Sequence, residues 1–234
     1  MSILYLVRHG QGGTREDYDS LSERGRRQAR LLREYFSNQN IEFEAVYTGS
    51  LSRQTATAEE ALPGAQLIVD SGWDEFDLAR VYSEFAPQMA ANDVVFHREY
   101  EEMQRAMAAS EGVHDAPVHR RWNDCDKAVV RAWVEGHYQY SGESWSEFEA
   151  RIHAALARVT THGHDGNVAV FTSATPIGIC AARALEIQDG RAMWLAGVQL
   201  NTAFSTLRVR GEEVRLFSFN TTPHLNDASL RTFR

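Results

Sequence analysis

The sequence predicts an α/β fold: a three-layer α/β/α arrangement around a mostly parallel sheet of about six strands, with a helical insertion. Three observations carry this expectation. Short apolar runs alternate with segments of helical periodicity from Ile3 to Val69. From about residue 78 to residue 141 the pattern changes to helices without strands, and from Ser144 the alternation resumes. With 234 residues, 43% of them hydrophobic and 24% charged, the chain can bury a large core as one domain, 1–234, carrying an insertion at about 78–141.

Ile3–Val7 is a short apolar run that suits a buried first strand, and Arg8-His9-Gly10 follows at once. A strand ending this way presents a cation and an imidazole at the sheet edge, where open α/β folds carry their chemistry. Gln11–Ser20 is a polar, glycine-containing loop. Ser22 can cap a helix whose apolar positions Ala29, Leu32 and Phe36 recur at helical spacing. Arg24, Arg26, Arg27, Arg30 and Arg33 crowd that helix and suit a solvated face. Ala45–Thr48 is a second strand, Gly49-Ser50 turns into a second helix with Ser50 as its expected cap, and Pro63-Gly64 stops it. Gln66–Val69 is a third strand. Strand, helix, strand, helix, strand implies parallel pairing with right-handed crossovers.

In the insertion, Phe96, Tyr100, Met103 and Met107 form one apolar stripe, with Asn92 or Asp93 as cap and Gly112 as the end. A loop with His114, Asp115, Pro117 and His119 precedes a further helix through Val129 and Trp133. Its position suggests a segment that covers the sheet edge and shapes access for substrate. Ser144-Trp145-Ser146-Glu147 is a capping box opening an amphipathic helix with the stripe Trp145, Phe148, Ile152, Leu156 and Val159. Val168–Thr172 is a fourth strand. Ser173-Ala174-Thr175-Pro176 leads into a helix, with Thr175 as expected cap and Pro176 at its first position. Ala203–Arg210 and Val214–Phe219 suit a hairpin around Gly211.

Composition narrows the function classes. The net charge of −8, from 24 Lys+Arg against 32 Asp+Glu, argues against nucleic acid or a membrane surface as partner. Cys125 and Cys180 stand in no CxxC or zinc spacing and suit reduced, buried thiols in a cytoplasmic protein. The apolar N-terminal run is too short for a signal peptide or a membrane span. His162, His164 and Asp165 lie close together, but no third histidine or cysteine completes a metal set, so neither a metal nor any other cofactor is expected.

Three strand-to-helix junctions carry polar groups that can converge: Arg8-His9, Ser50 to Arg53, and Ser173-Ala174. The loop Trp73-Asp74-Glu75-Phe76-Asp77 adds acids. Phosphoryl transfer asks for a nucleophile in line, cations around the equatorial oxygens and a proton for the leaving group. His9 can supply a ring nitrogen and Arg8 and Arg53 permanently charged planar forks. Glu75 can supply the proton if partial burial raises its pKa, and a helix N-terminus after Ser173 adds N–H donors.

In this order, RHG after a first strand, LSERGRRQA, YTGSLSRQTATA and GESWSEF resemble the histidine phosphatase superfamily, the group related to phosphoglycerate mutase. The resemblance runs from the N-terminus to about Glu75 and resumes from Gly142, leaving the insertion uncovered. It implies a metal-independent phosphatase acting on a small phosphorylated substrate, with His9 transiently phosphorylated. Arg8 and Arg53 would bind phosphate, and Glu75, with Asp74 and Asp77 as alternatives, would protonate the leaving group. The family normally places a second histidine at the end of the fourth strand, and the aligned residue here is Ser173. A serine donates one neutral hydrogen bond and no charge, with the N–H of Ala174 beside it. His224, in TTPHL, is a candidate replacement, although a turn histidine is more often structural. The alternative reading is a phosphate-ligand binding protein that keeps the pocket and has lost efficient turnover. A mutase is disfavoured, because QGGTREDYDS lacks the Asn-containing pattern associated with mutase members.

Overall fold

The computed structural model describes residues 2–14, 17–110, 123–161, 165–187, 191–210 and 213–233. The described strands are β1 (Ser2–Arg8), β2 (Phe43–Thr48), β3 (Leu67–Val69), β4 (Asn167–Thr172), β5 (Phe204–Arg210) and β6 (Glu213–Thr221). The helices are α1 (Glu23–Asn38), α2 (Ser52–Ala61), α3 (Leu78–Asn92), α4 (Val94–Ala109), α5 (Asp124–Val134), α6 (Trp145–Thr161), α7 (Ala174–Ala184) and α8 (Ala192–Gly197). One sheet holds the six strands in the order β3-β2-β4-β1-β5-β6. β1 pairs in parallel with β4, and β4 and β3 pair in parallel with β2, while β5 runs antiparallel to β1 and to β6. The predicted three-layer α/β/α class and its mostly parallel sheet are what the chain forms.

The chain divides into two units, Met1–Glu75 with Ala150–Arg234, and Phe76–Glu149. In the first, β1 and β4 are apolar on both faces, because helices cover both sides of a parallel sheet. Leu4, Leu6, Val7, Val168, Ala169, Val170 and Phe171 are buried. On one face Val7, Ala169, Phe171 and Phe204 pack with Leu32 and Phe36 of α1 and Ala58 and Ala61 of α2. Each fully buried Leu or Phe of this kind contributes about 1.5–3 kcal/mol. The arginines of α1 face water, where Arg26 and Arg30 pair with Glu60 and Arg30 also with Glu23. In the second unit Phe76, Trp133, Trp145 and Phe148 form an aromatic cluster, with Phe76 stacked on Trp133 at 4.6 Å between centroids. The capping box at Ser144 forms, with Ser144 N–H donating to Glu147 at 2.8 Å. Asp93 caps α4.

Several boundaries differ from expectation. β3 begins at Leu67, and Leu51 rather than Ser50 precedes α2, because Ser50 is bonded to Asp74. α7 begins two residues earlier than expected, with Ser173 as N-cap, so Pro176 sits at the third helical position. A proline is tolerated there because first-turn N–H groups have no intrahelical acceptor. Gly112, the loop with His114, Asp115, Pro117 and His119, the pair His162 and His164, and Gly211 lie outside the described residues.

Two glycines hold α1 against the turn after β1. A Cβ on Gly10 would lie 2.6 Å from the Gly25 carbonyl oxygen, and one on Gly25 would lie 2.8 Å from the Gln11 nitrogen. The helix N-terminus therefore approaches the RHG turn backbone to backbone. Gly25→Ala is expected to destabilise the protein by about 1–3 kcal/mol through this overlap. Thermal unfolding checks it; an unchanged Tm would mean that the turn yields without cost.

Candidate functional site

Strand register brings the predicted residues together. Arg8 is level with Thr172, and Thr48 with Phe171, so β1, β2 and β4 end at one height. Beyond those ends the backbone stays bonded, with His9 N–H donating to the Thr172 carbonyl at 2.8 Å and Gly49 N–H to that of Phe171 at 3.1 Å. The loops after three parallel strands consequently open from a rigid edge.

His9 is 1% exposed. Its Nδ1 lies 2.7 Å from the Gly10 carbonyl oxygen. A carbonyl only accepts, so Nδ1 carries the proton and Nε2 keeps its lone pair. Arg53 Nε–H donates to that lone pair at 3.3 Å. Burial, then the positive charges of Arg53 and Arg8, push the imidazole well below its usual pKa of 6.5. His9 is thus a neutral imidazole at physiological pH, held between two cations.

Arg8 is buried at the end of β1. Its guanidinium donates to the Gln199 carbonyl and, at 2.8 Å, to that of Phe233, while Nε meets no acceptor among the described residues. Burial pulls its pKa down, and Tyr18 and Glu75 oppose that pull. Neutral carbonyls orient the fork without cancelling its charge. The segment around Phe233 is itself fastened: Gln28 Nε2 donates to the Leu230 carbonyl at 2.6 Å, and Asn201 N–H to that of Thr232 at 2.8 Å. Asn201 Nδ2 also donates to the His9 carbonyl at 3.1 Å.

Arg53 lies in the first turn of α2 and is 6% exposed. Its Nη1 donates to Asp19 at 2.8 Å, and Asp19 also accepts from the Ser52 N–H at 3.1 Å. Thr57, one turn later, accepts from Gly10 N–H at 2.9 Å and donates to the Arg53 carbonyl at 2.6 Å. A single hydroxyl therefore sets the distance between the helix bearing Arg53 and the turn bearing His9.

The three acids of the WDEFD loop separate by role. Asp74 accepts from the Ser50 N–H at 2.6 Å and hydroxyl at 2.5 Å, and Asp77 caps α3 by accepting from Arg80 N–H at 3.0 Å. Asp77 thus serves the end of its own helix, and Asp74 ties its loop to the turn after β2. Glu75 is half-buried, accepts from Thr175 N–H at 3.2 Å and lies close enough to Arg8 to act on its charge. The N-terminus of α7, expected to face phosphate, thus gives one of its donors to Glu75. Ser173 is fully buried, and its Oγ accepts from Gln54 Nε2 at 2.9 Å. Ala174 is partly exposed as the first residue of α7. His224 is buried, and its Nε2 lies 2.9 Å from the Thr202 hydroxyl. Burial lowers its pKa to about 4, so it brings no positive charge at neutral pH.

Sequence reasoning passed over Tyr18, Asp19, Gln28, Gln54, Thr57 and Asn201. Thr57 carried a usable signal, since it stands one turn from Arg53 on the same helix face. Among the described residues no group of three or more His, Cys, Asp or Glu side chains is placed to hold a metal ion. Cys125 and Cys180 are buried free thiols whose pKa values rise to about 11 and about 12, which makes both chemically inert.

Fold and constellation together describe an α/β protein with a neutral histidine between two arginines at the carboxyl edge of its sheet. The chain belongs to the histidine phosphatase superfamily (branch 1), whose family model matches residues 4–132 and 103–222. That match also spans the helical region the motifs left uncovered. No curated protein sequence matches the chain. Among solved structures it is similar to a mycobacterial glucosyl-3-phosphoglycerate phosphatase with inorganic phosphate, at 20% identity, 95% and 98% of the two chains and a TM-score of 0.62. It is also similar to a mutant phosphoserine phosphatase from Entamoeba histolytica in complex with phosphoserine, at 17% identity, 96% and 100% coverage and a TM-score of 0.59. A third, the alpha-ribazole phosphatase from Shigella flexneri, shares 15% identity over 94% and 96% of the chains with a TM-score of 0.60. At these identities the likeness is one of fold.

The lowered pKa has a direct readout. Long-range proton–nitrogen NMR spectra of the ring are expected to give His9 as the neutral Nδ1–H tautomer at pH 6.5, with protonation only well below that pH. A midpoint at or above 6.5 would contradict the electrostatics described.

Proposed function

We propose that the protein is a metal-independent phosphatase that hydrolyses a small phosphomonoester through a phosphohistidine on His9. One observation carries the reading: a buried imidazole whose tautomer places its lone pair on Nε2, against the Arg53 Nε–H and in the field of Arg8. In the first step Nε2 forms a bond to phosphorus as the P–O bond to the leaving group breaks, and protonated Glu75 gives its proton to the departing oxygen. In the second, Glu75 takes a proton from water as the water oxygen attacks phosphorus and the P–N bond breaks, releasing phosphate. Arg8 and Arg53 hold the equatorial oxygens throughout, and fixed charge aimed at developing charge is the largest usual source of rate. Phosphatases of the same fold support the reaction class, and the phosphoserine bound to one of them supports a small phosphorylated molecule as substrate.

A second reading, a phosphate-binding protein with weak turnover, is favoured by Ser173. In place of a charged ring it offers a buried hydroxyl already bonded to Gln54. Incubation with an aryl phosphate separates the two. Turnover that vanishes in His9→Ala, with acid-labile phosphate trapped on the wild type only, is the expected result. Phosphate binding without turnover or trapped phosphohistidine would leave the second reading.

The proton role of Glu75 has its own test. Glu75→Gln is expected to slow hydrolysis of an alkyl phosphate, whose leaving oxygen needs a proton, by about a hundredfold, and that of a nitrophenyl phosphate far less. Equal losses on both substrates would move the acid elsewhere in the loop.

A further inference from the structure

Glu75 can protonate a leaving oxygen only while its loop is held in one conformation, and much of that hold comes from α6, a helix the chemistry above does not use. Arg151, Ala155 and Arg158 are spaced so that they share one face of α6. The segment Asp70–Glu75 lies along that face: a Cβ on Gly72 would lie 2.9 Å from the Ala155 Cβ. Arg158 grips its start, donating to the Asp70 carboxylate from Nε at 3.0 Å and from Nη2 at 2.8 Å. Arg151 grips its end. One nitrogen, Nη1, donates at 3.1 Å to each of three carbonyls, those of Ser71, Gly72 and Asp74. The intervening carbonyl, of Trp73, has other partners, accepting from the Thr172 hydroxyl at 2.5 Å and from Gln54 Nε2 at 3.3 Å.

We propose that Arg151 is the positioning residue of Glu75, a role that rests on the phosphatase reading above. The Asp74 carbonyl belongs to the planar peptide unit whose nitrogen is that of Glu75. The bond from Arg151 therefore fixes the plane from which the Glu75 side chain departs. At the other end of that side chain, Thr175 N–H donates to the carboxylate at 3.2 Å. The acid is thus held at its backbone by α6 and at its oxygens by α7. A single turn such as Ser71–Trp73 leaves carbonyls with few donors of its own, and one guanidinium nitrogen reaches three of them. GESWSEF, which ends three residues ahead of Arg151, starts the helix that carries it.

Arg151→Met keeps the stem of the side chain and removes every donor. Hydrolysis of an alkyl phosphate is expected to slow about ten- to a hundredfold, the usual effect of misplacing a catalytic group by about an ångström. A nitrophenyl phosphate, whose oxygen leaves without a proton, is expected to slow about threefold or less. Combined with Glu75→Gln, the substitution is expected to add little to the alkyl loss, because an acid already removed cannot be misplaced. Arg151→Lys, with three donors on one nitrogen, is expected to recover most of the alkyl rate. A loss equal on both substrates, or one that multiplies with that of Glu75→Gln, would overturn the proposal and leave Arg151 as a support of the fold. If Arg151→Met does not fold, Arg151→Gln, which keeps two donors at shorter reach, carries the same comparison. A wild type that hydrolyses both substrates, with the Arg151 variants slowed equally on each, removes only the positioning role. A wild type that hydrolyses neither removes the phosphatase reading and this role with it.

Discussion

The site depends on two guanidinium charges kept out of water. Burying an ion costs several kcal/mol unless it is well supplied with partners, and the chain meets that cost differently at Arg8 and Arg53. Arg8 is oriented by backbone carbonyls of Gln199 and Phe233 and keeps its net charge. Arg53 is oriented by a carboxylate, Asp19, and by the imidazole it faces. Burial, reinforced by their combined field, holds His9 neutral, and the carbonyl of Gly10 decides which nitrogen bears its proton. Orientation, charge and tautomer are three expressions of one electrostatic arrangement.

Local sequence made much of this visible and left a definite part hidden. The alternation of apolar runs and helical stripes revealed β1 to β4, α1 and α2, because a parallel sheet covered on both faces must be apolar throughout. RHG and the Arg53 segment were legible because each sits at the carboxyl end of such a strand. Ser50 and Thr175 were misassigned as caps for one reason: a cap signal records what a side chain can bond locally. Ser50 is instead drawn to Asp74, 24 residues away, and Ser173 already occupies the cap position of α7. Tyr18, Asp19, Thr57 and Gln54 act through partners distant in sequence, which no periodicity encodes. Glu75 was preferred to Asp74 and Asp77 on the resemblance alone, and the different hydrogen-bond partners of the three acids are a property of the folded chain.

Ser173 has a local counterpart in Gln54. Gln54 reaches across from α2 to bond both the Ser173 hydroxyl and, at 3.3 Å, the Trp73 carbonyl. A fully buried amide tying three loops together is costly to leave unsatisfied. The pair Gln54 and Ser173 is therefore a self-consistent packing of this corner. Gly49 shares in it, since a Cβ there would lie 2.6 Å from the Asp74 carboxylate.

The carbonyls that hold Arg8 come from residues separated from it by 191 and 225 positions. During synthesis the first strand emerges from the ribosome long before either acceptor exists. Through that interval Arg8 has no housing, and β1 has no strand partner either, since its neighbours in the sheet are β4 and β5. Only when residue 233 has been added can the guanidinium be turned to its working direction. The direction of the Arg8 guanidinium is thus set by contacts of long sequence separation, which exist only once the segments around Gln199 and Phe233 have docked beside β1.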